Sequence, residues 1–245
     1  MSPLTVPPAL AGLPLVVNVS GGKDSAAVVL ALREAEIPVH SYVFADTGWE
    51  HADTYRHLET IERHLGIAIV RVGVPGGMVA RAETRAGFAS RMQRWCTTEL
   101  KIKPIGAYLD TVKEATGGDV VSIVGNRSEE SARRAAQPVV EWEPRGVGHY
   151  VWRLIQSWSI ADVLGIHARH GLPLNPLYHR GFSRVGCFPC IFSQKAEVRL
   201  IAELHPERID EIAALEDRLT QMRATRNEAT PGRYTHAVAP FFQTR

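Results

Sequence analysis

The sequence predicts an α/β fold, in which a doubly wound, mostly parallel five-stranded sheet is followed by a C-terminal helical appendage. Short apolar and β-branched segments alternate with segments whose apolar residues recur at helical spacing. This alternation is typical of βαβ units, whose parallel strands are covered by helices on both faces. A glycine pair joins the first strand directly to the first helix. The predicted strands are residues 15–19, 39–44, 67–72, 119–124 and 151–155.

Amphipathic helices are predicted between and after these strands. In residues 51–65, for example, the apolar side chains recur at the spacing that places them on one helix face. The predicted helices are residues 24–36, 51–65, 98–115 and 163–170, with two more within 194–223 that separate at Pro206. Pro104 is expected near the start of its helix or at a kink. Residues 75–94 lack helical periodicity and are predicted to be a mobile loop.

The composition is that of a soluble globular protein. Hydrophobic residues make up 45% and charged residues 22% of the chain, and the net charge of +2 by itself favours no class of partner. Because no apolar run could span a bilayer and the N-terminus lacks a signal-peptide pattern, we expect a cytoplasmic protein. We predict a flexible arm at 1–14, an α/β domain at 15–192 and a C-terminal helical segment and tail at 193–245. A homo-oligomer is compatible with the sequence.

The segment Ser20-Gly21-Gly22-Lys23-Asp24-Ser25 lies at the turn between the first strand and the first helix. Two glycines let the backbone approach a ligand closely, and the N–H groups at a helix start favour an anion. Lys23 adds a positive charge, and the two serines add hydroxyl groups. In a Walker loop, Gly-Lys is followed by Ser or Thr, which is not the case here. For Gly-Gly-Lys alone, a glycine-rich turn with a solvated lysine is the competing interpretation.

The complete segment resembles the PP-loop of the N-type ATP pyrophosphatases, and further motifs narrow the resemblance to one branch. These are Phe44-Ala45-Asp46-Thr47-Gly48, the run Gly125-Asn126-Arg127-Ser128-Glu129-Glu130-Ser131 with Arg133 and Arg134, the run from Leu172 to Tyr178, and Gly186-Cys187-Phe188-Pro189-Cys190. In order and spacing they are similar to the motifs of the phosphoadenosine phosphosulfate (PAPS) reductase and DNA phosphorothioation (Dnd-type) family. The resemblance covers about residues 15 to 195 and implies an adenine nucleotide alpha hydrolase-like fold.

The resemblance implies a site for an adenine nucleotide, either ATP or PAPS or adenosine phosphosulfate (APS), together with Mg²⁺. The implied catalytic residues are Ser20, Lys23 and Asp46. The implied nucleotide-binding residues are Ser20, Gly21, Gly22, Lys23, Asp24, Ser25, Asp46, Gly125, Arg127, Glu130 and Arg133. Independently, these motifs follow strands whose carboxyl ends meet where open α/β sheets bind ligands. Arginine forks suit phosphate or sulfate, although a solvated surface explains an arginine cluster equally simply. Asp46 either holds Mg²⁺ or caps the second helix.

The chain has three cysteines, Cys96, Cys187 and Cys190. A single C-x-x-C pair is compatible with zinc, an iron–sulfur centre or a redox pair. The segment from Trp95 to Pro104 resembles the C-C-x-x-x-K-x-x-P motif of sulfonucleotide reductases that carry a [4Fe-4S] cluster. Because Trp95 replaces the first cysteine, the resemblance implies three cysteine ligands for four irons, as in tRNA-thiolating PP-loop enzymes. Zinc would need a fourth ligand, for which His149 and His179 are candidates, and three idle thiols are the remaining alternative.

These resemblances imply an ATP pyrophosphatase that adenylates an acceptor and supports iron–sulfur-dependent sulfur transfer, of the DNA phosphorothioation or tRNA thiolation type. A cysteine desulfurase is an expected sulfur donor. One alternative is a PAPS or APS reductase that uses an external thiol, since no cysteine follows Cys190. Another is a noncatalytic nucleotide-binding subunit. A nucleic-acid acceptor is favoured by a basic segment, although an ordinary solvated surface would look the same. Its cations are Arg81, Arg85, Arg91, Arg94, Lys101 and Lys103, against Glu83 and Glu99.

Overall fold

The computed structural model describes residues 4–144, 148–230 and 241, and a six-stranded sheet lies at its centre. The strands are β1 (Leu15–Asn18), β2 (Ser41–Asp46), β3 (Ile69–Gly73), β4 (Val121–Ile123), β5 (Val140–Glu143) and β6 (His149–Trp152). Their order across the sheet is β3-β2-β1-β4-β6-β5. All neighbouring strands are parallel except β5 and β6. The predicted mostly parallel α/β fold is therefore confirmed.

The predicted number of five strands is corrected to six, because β5 was missed. This strand has the sequence Val-Glu-Trp-Glu and pairs antiparallel with β6 at the edge of the sheet. Trp142 lies opposite Tyr150, and their rings meet edge to face with centroids 4.9 Å apart. An edge strand needs only a few residues that alternate in polarity, so its pattern is weaker than the continuous apolar run of a central parallel strand.

The described helices are α1 (Lys23–Glu34), α2 (Ala52–Leu65), α3 (Gly77–Arg85), α4 (Trp95–Thr97), α5 (Lys103–Thr116), α6 (Ala132–Ala135), α7 (Ile160–His170), α8 (Pro176–His179), α9 (Lys195–Leu204) and α10 (Pro206–Ala229). The predicted break at Pro206 is confirmed. The helix predicted for 98–115 is confirmed, although the helical run begins earlier, at Trp95, and a π-helical turn at Thr98–Ile102 joins α4 to α5, with Pro104 in the first turn of α5. None of the described helices is both long and apolar enough to cross a membrane.

The loop predicted for residues 75–94 contains helix α3. Gly76 precedes it with a φ of +70°, and Ala86 ends it with a φ of +47°. Met78 and Ala82, four residues apart, are buried. Because this helix begins at a glycine pair and has only a short apolar stripe, its sequence lacks the periodicity that predicts a helix.

Hydrophobic side chains cover both faces of the sheet, as a doubly wound fold requires. Within β1, Leu15 and Val17 lie in the main core, whereas Val16 lies in a second core with residues of α5. The main core also contains side chains of α1, α2 and α7. Because successive side chains of a strand point to opposite faces, the three apolar residues 15–17 of β1 need helices on both sides.

The segment before β1 contributes to the main core. The side chain of Leu10 is fully buried there, and Leu4, Val6 and Leu13 pack against the same core. Apolar contacts therefore hold these residues of the predicted flexible arm, while residues 1–3 lie outside the described residues.

The C-terminal helix α10 lies over the segment that carries Cys96. Ile212, Leu215 and Leu219 share a hydrophobic core with α3, the 95–100 segment and Phe241. The cysteine segment is therefore packed between the sheet domain and the C-terminal helix. Residues 231–240 and 242–245 of the predicted tail lie outside the described residues.

Candidate nucleotide and cysteine sites

The predicted PP-loop forms a tight turn that its own serine hydroxyls hold. The Ser25 hydroxyl accepts a hydrogen bond from the Ser20 N–H and donates one to the Gly22 carbonyl, both at 3.0 Å. The two serine hydroxyls are also 3.0 Å apart. Gly21 has a φ of +72°, and a Cβ added there would lie 2.8 Å from Thr54 Cγ2 of α2. The turn leads directly into α1, whose N-terminus is suited to an anion.

Residues about 150 positions later in the chain support this loop. Asn175 is fully buried, and its side-chain amide donates to the Gly21 carbonyl over 3.2 Å. The Tyr178 hydroxyl accepts the Lys23 N–H over 3.2 Å, and the Lys23 ammonium lies 4.8 Å from the centre of the tyrosine ring. A ring nitrogen of His167 lies 2.9 Å from the Lys23 carbonyl. Asn175 and Tyr178 belong to the family motif that runs from Leu172 to Tyr178, but the sequence assigned them no role. No sequence motif pointed to His167.

The loop is joined to the motif after β4 by an ion-pair network. Asp24 pairs with Lys23 at 3.2 Å and with Arg127 Nε at 2.5 Å. Arg127 is only 6% exposed and also pairs with Glu129 at 2.7 Å. A Cβ at Gly125 would lie 2.9 Å from the Asp24 backbone, so only glycine fits this approach. The structure therefore brings these predicted site residues together and places Arg127 in carboxylate pairs.

The remaining predicted residues of this motif are arranged differently. The Glu130 carboxylate accepts the Arg127 N–H over 2.8 Å and pairs with Arg134. Arg133 is exposed on α6 and forms no ion pair within the described residues. Arg133 is therefore the cation of this motif that remains available to a ligand.

Asp46 is the last residue of β2, which pairs with β1, the strand that leads into the PP-loop. One of its carboxylate oxygens accepts the Gly48 N–H at 2.9 Å and the Tyr55 hydroxyl at 2.8 Å. Burial, reinforced by the bond to Asp46, raises the pKa of Tyr55. The first residue before α2 is His51, whose Nδ1 accepts the Asp53 N–H at 3.0 Å. The alternative in which Asp46 caps the second helix is therefore wrong, and the magnesium role remains a prediction.

Cys187 lies against the loop that follows β2. Its sulfur is 3.8 Å from Glu50 Oε1 and 3.8 Å from Thr47 Oγ1. Glu50 and Cys187 also form an antiparallel backbone bridge, and the Phe188 N–H donates to the Trp49 carbonyl over 2.7 Å. The segment that carries the first C-x-x-C cysteine is thus hydrogen-bonded to the segment that carries Asp46.

The three cysteines lie around Lys101. Burial raises the pKa of Cys96, and the neighbouring Cys190 sulfur adds to this effect. Burial also raises the pKa of Cys187 to about 11, although the Lys101 ammonium acts in the opposite direction. The Cys187 sulfur, together with Glu50, raises the pKa of Lys101. A cation among three thiols would stabilise their thiolate forms, which are the forms that bind metals.

The donor chemistry therefore fits a sulfur-ligated centre with three cysteine ligands. Within the described part of the chain, however, no three His, Cys, Asp or Glu side chains are already arranged to hold a metal ion. His149 is in β6 and His179 ends α8, and neither joins the cysteines in such a group. The iron–sulfur cluster and the zinc alternative therefore both remain predictions.

The predicted basic segment divides into two parts. Arg81 and Arg85 form ion pairs with Glu99, and Lys101 lies beside Cys187. Arg91 and Arg94 are exposed and lie over the ring of Phe192. Lys103 is also exposed.

The sequence profile of the phosphoadenosine phosphosulfate reductase domain matches residues 14–193. The chain belongs to this family. The PP-loop resemblance is therefore confirmed. This family includes enzymes. A site for an adenine nucleotide is consistent with membership of the family.

Among relatives, an uncharacterized 37.8 kDa protein of Escherichia phage 186 is 31% identical, and the match covers 90% of this chain and 79% of the phage protein. An adenosine 5'-phosphosulfate reductase of Allochromatium vinosum is 26% identical, over 72% of this chain and 67% of the reductase. The crystal structure of the PAPS reductase of Candida auris superposes with a TM-score of 0.56 at 16% identity and covers 75% of this chain and 85% of its own. The similarity to this crystal structure supports the α/β fold described above.

Proposed function

We propose that this member of the PAPS reductase domain family is an ATP pyrophosphatase that adenylates an acceptor and supports sulfur transfer to it, with nucleic acid as the acceptor. The proposal rests on the contact between the two candidate sites. Cys187 bridges to Glu50, four residues after Asp46, and a Cβ at Gly22 would lie 3.8 Å from the Val185 carbonyl. An activated acceptor at the nucleotide site would therefore lie near the thiols.

In this proposal the PP-loop residues bind the pyrophosphate that leaves ATP. The backbone of Gly21 and Gly22 and the hydroxyls of Ser20 and Ser25 surround the anion, while Lys23 neutralises charge that develops on it. Asp46 provides a carboxylate for Mg²⁺. The remaining nucleotide-binding residues of the proposal are Asp24, Gly125, Arg127, Glu130 and Arg133. Because Asp24 is paired with Arg127, its role is to fix the loop to the β4 motif.

Cys96, Cys187 and Cys190 are the residues that would hold a [4Fe-4S] cluster. Such a cluster, when bound, would supply sulfide or electrons at this position. The chain itself supplies three sulfur ligands and a cation, Lys101, that offsets their negative charge. A cysteine desulfurase is the proposed source of sulfur.

The adenylation step is tested by pyrophosphate release from ATP. We expect the parent protein to release pyrophosphate when RNA or DNA is present and Lys23→Met to lose at least about a hundredfold in rate, a loss in the range found when an electrostatic group at a reacting centre is removed. Lys195→Met, which removes an exposed lysine, serves as the matched control. ATP binding without pyrophosphate release from any acceptor would instead identify a noncatalytic nucleotide-binding subunit.

The cysteine site is tested by measuring iron and acid-labile sulfide after anaerobic purification. We expect both in the parent protein, and we expect Cys96→Ser to lose them. Thr98→Ser, an exposed position two residues away, is the control. Colourless protein without iron or sulfide would remove the cluster from the proposal.

A second candidate function is reduction of APS or PAPS with an external thiol. The Allochromatium vinosum relative, which is named an adenosine 5'-phosphosulfate reductase, favours it. Since no cysteine follows Cys190, the attacking thiol would come from another protein. Release of sulfite from APS in the presence of thioredoxin, without pyrophosphate release from ATP, would select this function.

A further inference from the structure

We propose that Arg91, Met92, Arg94 and Phe192 form a binding surface for single-stranded nucleic acid beside the cysteine site. This assignment rests on the proposed function for its purpose, because it would position an acceptor for sulfur transfer. The binding itself needs neither ATP nor a cluster. We call these four residues the Arg91–Phe192 surface.

The two arginines of this surface have charge available for phosphate. Both are exposed, and neither forms an ion pair within the described residues. Arg91 Nε is 3.4 Å from the Ile191 carbonyl, and Arg94 Nη2 is 3.4 Å from Thr97 Oγ1. These hydrogen bonds are long, and within the described part of the chain they leave most of the guanidinium N–H groups without a protein acceptor. Arginine presents five such donors in a planar fork suited to phosphate.

Two nearby arginines provide a contrast. Arg81 and Arg85 both pair with Glu99, and the hydrogen bond from Arg85 lowers the pKa of that carboxyl. A carboxylate that already holds two guanidinium groups reduces their attraction for a polyanion. The same short stretch of chain therefore contains one arginine pair that shares a carboxylate and, within the described residues, one pair that forms no ion pair.

The same surface contains an aromatic ring. The guanidinium carbons of Arg91 and Arg94 lie 5.9 Å and 4.9 Å from the centre of the Phe192 ring. The neighbouring residue Met92 is 91% exposed, whereas the other exposed large apolar residues of the described chain are 39–51% exposed. Proteins that bind single strands combine cations that follow the backbone with aromatic rings on which bases stack. A phosphate site alone would not require the ring or the exposed methionine.

The position of the Arg91–Phe192 surface favours the binding of a single strand over that of a duplex. The Phe192 backbone N–H donates to the Cys190 sulfur over 3.5 Å, so this residue of the surface is hydrogen-bonded to a cysteine of the candidate site. A base in a duplex is stacked, and enzymes that modify bases first take them out of the stack. A strand held on the Arg91–Phe192 surface would present an unstacked base near the thiols.

The test measures fluorescence anisotropy of labelled single-stranded RNA and DNA oligonucleotides with the full chain. We expect Arg91→Gln/Arg94→Gln to bind roughly tenfold more weakly, with the slope of log affinity against log salt reduced by about 1.4, which corresponds to two lost phosphate contacts. Arg81→Gln/Arg85→Gln removes the same charge and should stay within about twofold of the parent. A thermal melt of each variant confirms folding.

The contribution of the ring is tested by Phe192→Leu. We expect roughly tenfold weaker oligonucleotide binding but unchanged binding of polyphosphate, which has no bases to stack. Absence of oligonucleotide binding by the parent, or equal losses in both arginine double variants, would overturn the proposal. Tighter binding of duplex than of single strand would overturn it too, as would a Phe192→Leu variant that binds like the parent.

These outcomes are separate from those of the proposed function. Pyrophosphate release, iron and sulfide are measured on the same preparations. If the parent binds oligonucleotides through this surface but shows none of the three, the surface stands and the proposed function fails. If the parent shows all three but Arg91→Gln/Arg94→Gln binds oligonucleotides like the parent, the surface is wrong and the proposed function stands.

Discussion

At the scale of single residues, the conformation of the PP-loop depends on the glycine at position 21. Gly21 has a φ of +72°, and a Cβ there would meet Thr54 Cγ2 at 2.8 Å. Backbone conformation and packing therefore impose the same choice. Glycine adopts this conformation without steric cost, whereas other residues lose about 1 kcal/mol or more there.

We predict that Gly21→Ala lowers the free energy of unfolding by more than about 1 kcal/mol, because the backbone strain and the contact with α2 add. Urea unfolding followed by circular dichroism measures the change. Gly106→Ala is the control, since Gly106 lies within α5 and an added Cβ would meet nothing within 4 Å. There the expected change is stabilising by up to about 1 kcal/mol. Equal effects of the two changes would contradict the strain argument.

A buried histidine makes stability depend on pH. His57 is 3% exposed, and its Nε2 has no hydrogen-bond partner in the described structure. Burial, together with the nearby His167, lowers the pKa of His57 from 6.5 to about 4. The unfolded chain therefore takes up a proton as the pH falls below about 6.5, whereas the folded chain does not until about pH 4. The stability that comes from the neutral ring is complete above pH 6.5 and is lost between pH 6.5 and 4.

We predict that His57→Leu, which keeps a similar side-chain volume, reduces the decline in unfolding free energy between pH 6.5 and 4.5. The measurement is a series of urea titrations across this range for the parent and the variant. His40→Gln changes an exposed histidine and should leave the decline as it is in the parent. A His57→Leu variant with the same pH dependence as the parent would show that other groups cause it.

At the scale of helices and strands, burial decides what the sequence reveals. Residues 15–17 of the central strand β1 are all apolar because both faces of the strand are covered, so the sequence predicts this strand clearly. Strand β5 lies at one edge of the sheet, and in its four residues two apolar side chains alternate with two glutamates. Helix α3 begins at a glycine pair, which normally indicates a loop. Local pattern therefore found the elements that form the main core and missed those at its margins.

The residues of the candidate site divide in the same way, into those that a local sequence motif reveals and those that reach the site from distant positions. The PP-loop, the C-x-x-C pair and Asp46 could be found because their meaning is contained in a few adjacent residues. Tyr178, His167 and Asn175 support the loop from positions 155, 144 and 154 residues away, and no local pattern indicates such contacts. Glu50 was also missed as a neighbour of Cys187, because the two residues are 137 positions apart.

At the scale of the whole molecule, two sites share one edge of the sheet. The segment 184–187 runs from the PP-loop to the first C-x-x-C cysteine, since the Val185 carbonyl faces Gly22 and Cys187 bridges to Glu50. Tyr178, which accepts the Lys23 N–H, lies just before this segment in the chain. The PP-loop is therefore adjacent to residues that position Cys187.

We predict that ATP with Mg²⁺ slows the alkylation of Cys187 by iodoacetamide in metal-free protein by at least about threefold. A phosphate bound at the PP-loop would restrict the segment 184–187 and reduce the access of the reagent to the sulfur. Cys96 lies in a different tryptic peptide, and tandem mass spectrometry of the peptide 185–195 distinguishes Cys187 from Cys190. Lys23→Met should abolish the protection because it removes a phosphate contact, whereas Lys195→Met should retain it. Protection that persists in Lys23→Met, or that is absent from the parent, would show that the two sites are adjacent but not coupled.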